Sequence, residues 1–231
     1  MTELWLAAIF FVGSHVGLSS TPLRGVLVRV LGERAYQGLY SLIALVAIGW
    51  LSIAFNKAPP GPVLWWFGDL GPLLSIVLVP IALLLLVMGV GQPNPSSVGA
   101  EHLLEEEGDH ARGVFRITRH PVMWAIGLWA LSHLVANGEL RAVIFFASFA
   151  VLALCGTVLI DAKKRRSAPL AYEHFAGTTS NVPLAAVFAG RQSLGRAIAE
   201  IGWKLPLAAV VLYGVLLHLH LWLFGVSPYP L

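Results

Sequence analysis

The feature that most constrains this chain is a series of six apolar runs: Leu4–Leu18, Tyr36–Phe55, Pro72–Gly91, Pro121–Ala136, Ala142–Ile160 and Leu205–Val226. A membrane-spanning helix needs about 20 apolar residues, with a range of roughly 17–25. The second, third, fifth and sixth runs meet that length. The first and fourth are shorter, and each contains a histidine. Charged residues make up only 12% of the chain, against about 25% in soluble domains, so a soluble fold would lack a polar skin. In hydrocarbon each backbone polar group must be paired internally, which restricts spanning segments to helices or closed barrels. The expected fold is all-α: a polytopic membrane helix bundle of about six transmembrane helices, plus a cytoplasmic interfacial helix-loop, with residues 1–231 forming one domain. Glu3 precedes the first run, with no basic flank before it and no small-residue cleavage site after it, so that run reads as a mature helix.

Charge predicts the orientation. Arg24, Arg29 and Arg34 follow the first run; Arg112, Arg116 and Arg119 follow the third. Lys163, Lys164, Arg165, Arg166, Arg191, Arg196 and Lys204 follow the fifth. The second and fourth loops carry only Lys57 and Arg141. Basic loops stay in the cytoplasm, so both termini are expected outside, as in a bacterial inner-membrane protein. This asymmetry explains the net charge of +3 without a nucleic-acid partner. Lys163–Arg166, at a membrane exit, is expected to face anionic headgroups. The single cysteine, Cys155, lies in the fifth run, so no internal disulfide and no cysteine-based metal site can form.

Two long segments join the spans on the basic side. Gln92–Arg119 opens with Q-P-N-P-S-S, a helix stop followed by turn residues, and continues into the acidic stretch Glu101–Asp109. Ala162–Lys204 intersperses Leu170, Tyr172, Phe175, Val182, Val187 and Phe188 among polar residues, a pattern that suits an interfacial helix-loop.

Histidines carry the functional argument. His102, His110 and His174 fall in loops, where surface roles are expected. His15, His133, His218 and His220 lie inside apolar runs, and His120 sits at a membrane boundary. An ionisable ring within the bilayer needs a partner and marks a candidate site. Neutral imidazole ligates iron, copper and zinc. The spans offer almost no carboxylates or thiols to complete a bare-metal site, whereas haem needs only one or two axial side chains. Trp124, Trp129, Trp222, Gly13, Gly17 and Gly127 offer apolar and small neighbours. His133 lies 12 residues past Pro121 and His218 lies 13 past Leu205, so each is about 18–20 Å into the membrane at 1.5 Å per residue. By depth His133 pairs with His218, and His15 with His120; a His15–His133 pair needs a tilted haem or an off-centre first helix.

Several stretches resemble the NnrU family, which includes plastid 15-cis-ζ-carotene isomerase. They are F-V-G-S-H-V-G-L at 11–18, G-E-R-A-Y at 32–36, G-V-F-R-I-T-R-H-P at 113–121, L-S-H at 131–133 and N-V-P-L-A-A-V-F-A-G-R-Q at 181–192, with His218 in the last span. The resemblance implies a multi-pass membrane protein that binds haem b, with His15 and His133 as axial metal ligands. It implies a hydrophobic small-molecule substrate such as a carotenoid, isomerised at a double bond under redox control, or a link to nitrate and nitric-oxide respiration through a respiratory-complex partner. Arg116, Arg119 and His120 are candidates to meet haem propionates, because guanidinium pairs bidentately with carboxylate, and His218 is a rival ligand. One departure stands out: Ala130 occupies the position where the isomerase has a cysteine three residues before its second histidine.

Two alternatives remain. R-I-T-R-H-P before an apolar helix, with a basic loop and Tyr172 beyond, is also similar to isoprenylcysteine carboxyl methyltransferases, which would set Arg119 and His120 against S-adenosylmethionine. A non-catalytic assembly or regulatory partner would instead use small residues such as Gly13, Gly17, Ala44 and Ala47 for helix packing.

Overall fold

The computed structural model describes residues 1–94 and 111–230. The acidic stretch Glu101–Asp109, with His102, and His110 beyond it, lie outside the described residues. Ten α-helices are present among the described residues: α1 (Thr2–Ser20), α2 (Pro22–Leu31), α3 (Glu33–Lys57), α4 (Leu70–Gly91), α5 (Pro121–Ala136), α6 (Leu140–Ser167), α7 (Pro169–Thr178), α8 (Ala185–Phe188), α9 (Leu194–Ile201) and α10 (Lys204–Phe224). A 3₁₀ turn, Gly113–Arg116, precedes α5. Five helices, α1, α3, α4, α6 and α10, are long and apolar enough to cross a membrane. The sixth apolar helix, α5, has 16 residues. This is the expected membrane helix bundle.

The ends of the helices differ from the apolar runs in an instructive way. The first run gains about half a turn at each end and becomes a 19-residue helix, Thr2–Ser20. The fifth does not stop at Ile160 but continues through Lys163–Arg166 to Ser167, because nothing in D-A-K-K-R-R breaks a helix until Pro169 imposes an extended residue before it. The interfacial segment therefore begins after Ser167, not at Ala162. Lys164, expected to face headgroups, is fully buried, and Arg165 pairs with Glu173 at 2.7 Å.

The apolar helices pack in the order α3–α1–α6–α5–α4–α10, with α3 also reaching α6. Leu4, Ala7, Phe11, Ala47, Leu51 and Ile144 close the α1–α3–α6 half. Leu85, Met88, Val114, Phe115, Tyr172 and Phe175 join α4, the 3₁₀ turn and α7. Outward positions such as Leu45, Val77, Val158 and Trp222 are exposed and apolar, as lipid contact requires. At the basic end, α2 is capped by Thr21, whose Oγ1 accepts from the Leu23 amide, and stops at Gly32, with φ of +81°. That left-handed angle costs glycine nothing and turns the chain straight into α3. Glu33 then meets Arg24 at 2.8 Å, and the Tyr36 hydroxyl donates to the Leu18 carbonyl at 2.7 Å. G-E-R-A-Y is thus the clasp between α1, α2 and α3.

At the opposite end, the loop after α3 is laced to the α5–α6 turn. The Leu64 amide donates to Gly138 O at 2.8 Å and the Leu140 amide to Pro62 O at 3.0 Å. The Trp65 indole donates to Leu134 O at 3.1 Å, so Trp65 anchors α5, whereas Trp66 and Phe67 are exposed. A Cβ at Gly138 would stand 2.0 Å from the Trp65 carbonyl oxygen. Gly138→Ala should therefore destabilise by about 1–3 kcal/mol, the range for overpacking. Gly38→Ala, in open helix surface, should instead stabilise by roughly 0.5–1 kcal/mol. Thermal unfolding of the two variants in detergent should move the midpoint in opposite directions.

Candidate functional site

The motif F-R-I-T-R-H-P at 115–121 folds into a short segment that threads the basic end of the bundle. The Arg119 amide donates to Ser180 O at 2.9 Å and the Leu184 amide to Ile117 O at 2.8 Å. Thr118 Oγ1 donates to Asn181 O at 2.6 Å, and the Trp124 indole donates to the same oxygen at 2.8 Å. The two halves of the family resemblance, 113–121 and 181–192, are therefore hydrogen-bonded to each other. Pro121 then starts α5 at a position where its missing N–H costs nothing.

These contacts hold Arg119 and His120 against Asp161 on α6. Arg119 Nε donates to Asp161 Oδ1 at 2.9 Å, and Arg119 Nη2 donates to Oδ2. His120 Nε2 lies 2.6 Å from Oδ1, and the Tyr172 hydroxyl donates to that oxygen at 2.5 Å. All four side chains are buried, His120 to 2% exposure and Tyr172 to 0%. Burial holds His120 below the ordinary histidine range, with the Arg119 cation adding to the effect and Asp161 only partly opposing it. The neutral ring gives its Nε2–H to Asp161, and its buried Nδ1 has no hydrogen-bond partner among the described residues. Burial and the Asp161 carboxylate both push the Tyr172 phenol up, so it stays a donor.

A second ion pair lies beside it. Arg116 Nε and Nη2 each donate to Glu200 at 2.8 Å, and Nη1 donates to Gln192 Oε1 at 2.7 Å. The Gly113 amide also donates to Glu200 at 2.8 Å. Arg116, with Gly113 and Arg196 assisting against a small burial penalty, pulls the Glu200 carboxyl down to about 2.

The guanidiniums offered by the sequence to haem propionates, Arg116 and Arg119, are thus bonded to carboxylates of this chain. The groups a methyltransferase would turn toward S-adenosylmethionine, Arg119, His120 and Tyr172, close on Asp161 instead. Asp161 and Glu200 are the partners that sequence reading passed over. An aspartate closing an apolar run is a signal in itself, because a carboxylate at that depth needs a cation; which cation was set by folding.

The intramembrane histidines occupy other places. His15 on α1 and His133 on α5 make the same local bond: His15 Nδ1 lies 2.7 Å from Phe11 O, and His133 Nδ1 lies 2.9 Å from Trp129 O. A carbonyl only accepts, so each Nδ1 is the donor, and in the neutral ring Nε2 is then the nitrogen with the lone pair. Between the two stands α6. Phe149 meets Phe11 on one side, with ring centroids 4.7 Å apart, and Trp129 on the other, at 5.4 Å. His15 lies one turn past Phe11, while His133 stacks on Phe146 at 5.0 Å. The two imidazoles are therefore offset by roughly 10 Å in depth at 1.5 Å per residue. His120 is at the basic end, away from both. His218 is exposed on α10, and the neighbouring His220 bonds Val226 O at 2.9 Å. Ala130 is buried, and Cys155 is exposed on α6. Gly13 and Gly17 have nothing within 4 Å of an added Cβ, so they mediate no close helix contact among the described residues.

Fold and site together define a polytopic membrane protein with two imidazoles among its spans, each tied through Nδ1 to its own helix, and a buried ion-pair layer at one end. The chain belongs to the NnrU family, whose NnrU protein description matches residues 3–228. It is 28% identical over 221 residues to the chloroplastic 15-cis-zeta-carotene isomerase of Zea mays, and 29% identical over 215 residues to that of Arabidopsis thaliana. Each alignment covers 90% of this chain and 56% of the relative, so the chain spans little more than half the length of these plant proteins. No solved structure matches.

Removing a buried ion-pair partner typically costs about 3–5 kcal/mol, so Asp161→Ala should destabilise by that order. Tyr172→Phe should cost less, about 1.5–3 kcal/mol, one hydrogen bond to a charged group. Unfolding midpoints in detergent check both. Glu200 adds a pH dependence. Its folded carboxyl titrates near 2 rather than the ordinary 4.5, so its contribution is complete above about 4.5 and fades as pH falls toward 2. Glu200→Gln should flatten the acid limb of the stability curve over that window.

Proposed function

We propose that this chain is a membrane isomerase or redox protein that holds haem b on intramembrane histidines and acts on a hydrophobic small molecule such as a carotenoid. The supporting observation is the shared tautomer of His15 and His133. Each Nδ1–H is tied to the carbonyl four residues earlier, which orients the ring and leaves Nε2 as a ligand, the arrangement second-shell hydrogen bonds give metal-binding histidines. His15 and His133 would each offer Nε2 to a haem iron; with α6 between them, the pair does not meet at one point in this arrangement. Haem would supply one-electron redox chemistry when bound.

The chain's own residues supply the rest. His15 touches Phe11 and Tyr40, and His133 touches Trp129 and Phe146. These rings keep water from the imidazoles and offer flat apolar surfaces to a polyene. Cis–trans isomerisation changes no atom count, so such a site needs to bind the chain and ease rotation about one bond. The printed activity of the plant relatives supports this class of substrate. In the same reading the basic end faces the cytoplasm of a bacterial inner membrane, with both termini outside. Association with a respiratory enzyme belongs to the reading as well, carried only by the sequence resemblance.

Absorption spectra of the detergent-purified protein, oxidised and reduced, test the haem assignment. A Soret band with b-type α and β bands is expected, lost or shifted in His15→Ala or His133→Ala. A preparation that stays haem-free after haem-supplemented expression, or a spectrum unchanged in the double variant, overturns it. Conversion of cis-ζ-carotene in proteoliposomes, followed by chromatography, tests the isomerase part separately.

A further inference from the structure

The packing of two helices on α4 brings a second imidazole to the level of His133. Pro121, the first residue of α5, sits against Gly89, where an added Cβ would stand 2.8 Å from Pro121 Cγ. Leu205, at the start of α10, sits against Gly91, where an added Cβ would stand 2.7 Å from Leu205 Cδ2. The two helices therefore leave the basic end at nearly the same height, with α10 starting roughly 3 Å lower along α4. His133 follows Pro121 by 12 residues and His220 follows Leu205 by 15, climbs of about 18 and 22 Å. The lower start of α10 removes most of that difference, so the two histidines reach the same depth to within about 2 Å.

α4 also ties the two helices together near that depth. Ser75 Oγ donates to Ser132 O, beside His133, at 3.0 Å. From the next residue of α4, Ile76 O accepts from the Tyr213 hydroxyl at 2.9 Å. His220 stands seven residues past Tyr213, two turns on along the same side of α10. In this arrangement His220 comes near enough to His133 for the two rings to feel each other's charge. His218, two residues earlier, lies about 200° round the helix and is exposed. His15 stands beyond α6.

The two rings are alike in their local bonding. His220 Nδ1 lies 2.9 Å from Val226 O, and His133 Nδ1 lies 2.9 Å from Trp129 O. Carbonyls only accept, so in the neutral rings the lone pair sits on Nε2 in each case. Aromatic neighbours flank both: Phe224 beside His220, with ring centroids 4.8 Å apart, and Trp129 and Phe146 beside His133. Among the described residues no three His, Cys, Asp or Glu side chains gather where they could hold a bare ion. Haem asks the protein for its axial ligands alone, and two imidazoles at one depth on neighbouring parallel helices match that demand.

We propose, on the haem reading above, that His220 is the axial ligand opposite His133, so that the haem-binding pair joins α5 to α10 across α4 rather than α5 to α1. His15 is then outside this iron's coordination, and of the two ligand variants named above His133→Ala is the one that removes a ligand.

Electron paramagnetic resonance and absorption spectra of the ferric, detergent-purified full chain, expressed with haem supplementation, test the pairing. Axial-ligand identity sets the electronic state of the iron, and two imidazoles make it six-coordinate and low-spin. Wild-type protein should show that low-spin signal. His220→Ala should lose it and become high-spin, and added imidazole should bring the low-spin signal back. Imidazole rescue separates a lost ligand from a disturbed fold. His218→Ala and His15→Ala should keep the wild-type signal. A high-spin wild-type haem, a low-spin His220→Ala protein, or a loss in His220→Ala that imidazole does not reverse overturns the pairing while leaving haem binding in place. Conversion to high spin in His15→Ala with His220→Ala unchanged assigns the second ligand to His15. A wild-type preparation without haem overturns the haem reading itself, and the pairing with it.

Discussion

The buried carboxylate of Asp161 is the interaction on which the basic end of this protein depends. It accepts hydrogen bonds from Arg119, His120 and Tyr172, groups carried by two parts of the chain, the segment before α5 and α7. An uncompensated carboxylate at this depth would be very costly. The charge is tolerable only when the segment before α5, the end of α6 and α7 are all in register. That requirement works in both directions. It fixes where α5 begins, although α5 is the shortest of the apolar helices, and it draws α7 under the bundle. The Arg116–Glu200 pair does the same for the 3₁₀ turn and α9. Together they form a polar layer from which the apolar spans rise.

The imidazoles show a different use of polar groups in a membrane. His15 and His133 do not need tertiary partners for their Nδ1 protons, since each is served by its own helix. Half of each ring is thereby satisfied within one turn of its own helix. His120 has the reverse arrangement: its Nε2 is taken by Asp161 and its Nδ1 is enclosed. By this contrast, the histidine at the membrane boundary is a structural member of the ion-pair layer, whereas His15 and His133 are tied only to their own helices through Nδ1. Aromatic side chains of α6, Phe146 and Phe149, pack against the helices that carry His133 and His15.

Much of the fold was legible in the amino-acid sequence, because hydrocarbon allows so few alternatives. Uninterrupted apolar runs of the right length can only be helices, so the spans, their number and the location of the long polar segments follow from composition along the chain. G-E-R-A-Y reads equally directly, since the glycine supplies the positive φ and Glu33 and Tyr36 the side chains that close the turn. The end of α6 was less legible: a run of lysines and arginines looks like a headgroup anchor, but helix propensity carries it onward, and Lys164 ends up buried.

By itself, then, the sequence determined the membrane class, the helical spans, the family resemblance and the tautomer-setting i−4 carbonyls of His15 and His133, all of which depend on local composition or neighbours within one turn. Only the tertiary structure decided the partners of the charges. Arg116 and Arg119 were open to cofactor carboxylates, methyl donors or headgroups until Glu200, 84 positions away, and Asp161, 42 positions away, were brought beside them. The distance between His15 and His133 was likewise beyond a one-dimensional reading. Depth along a helix can be counted in residues, but which helix stands between two others is settled by side-chain packing, and here α6 takes that place.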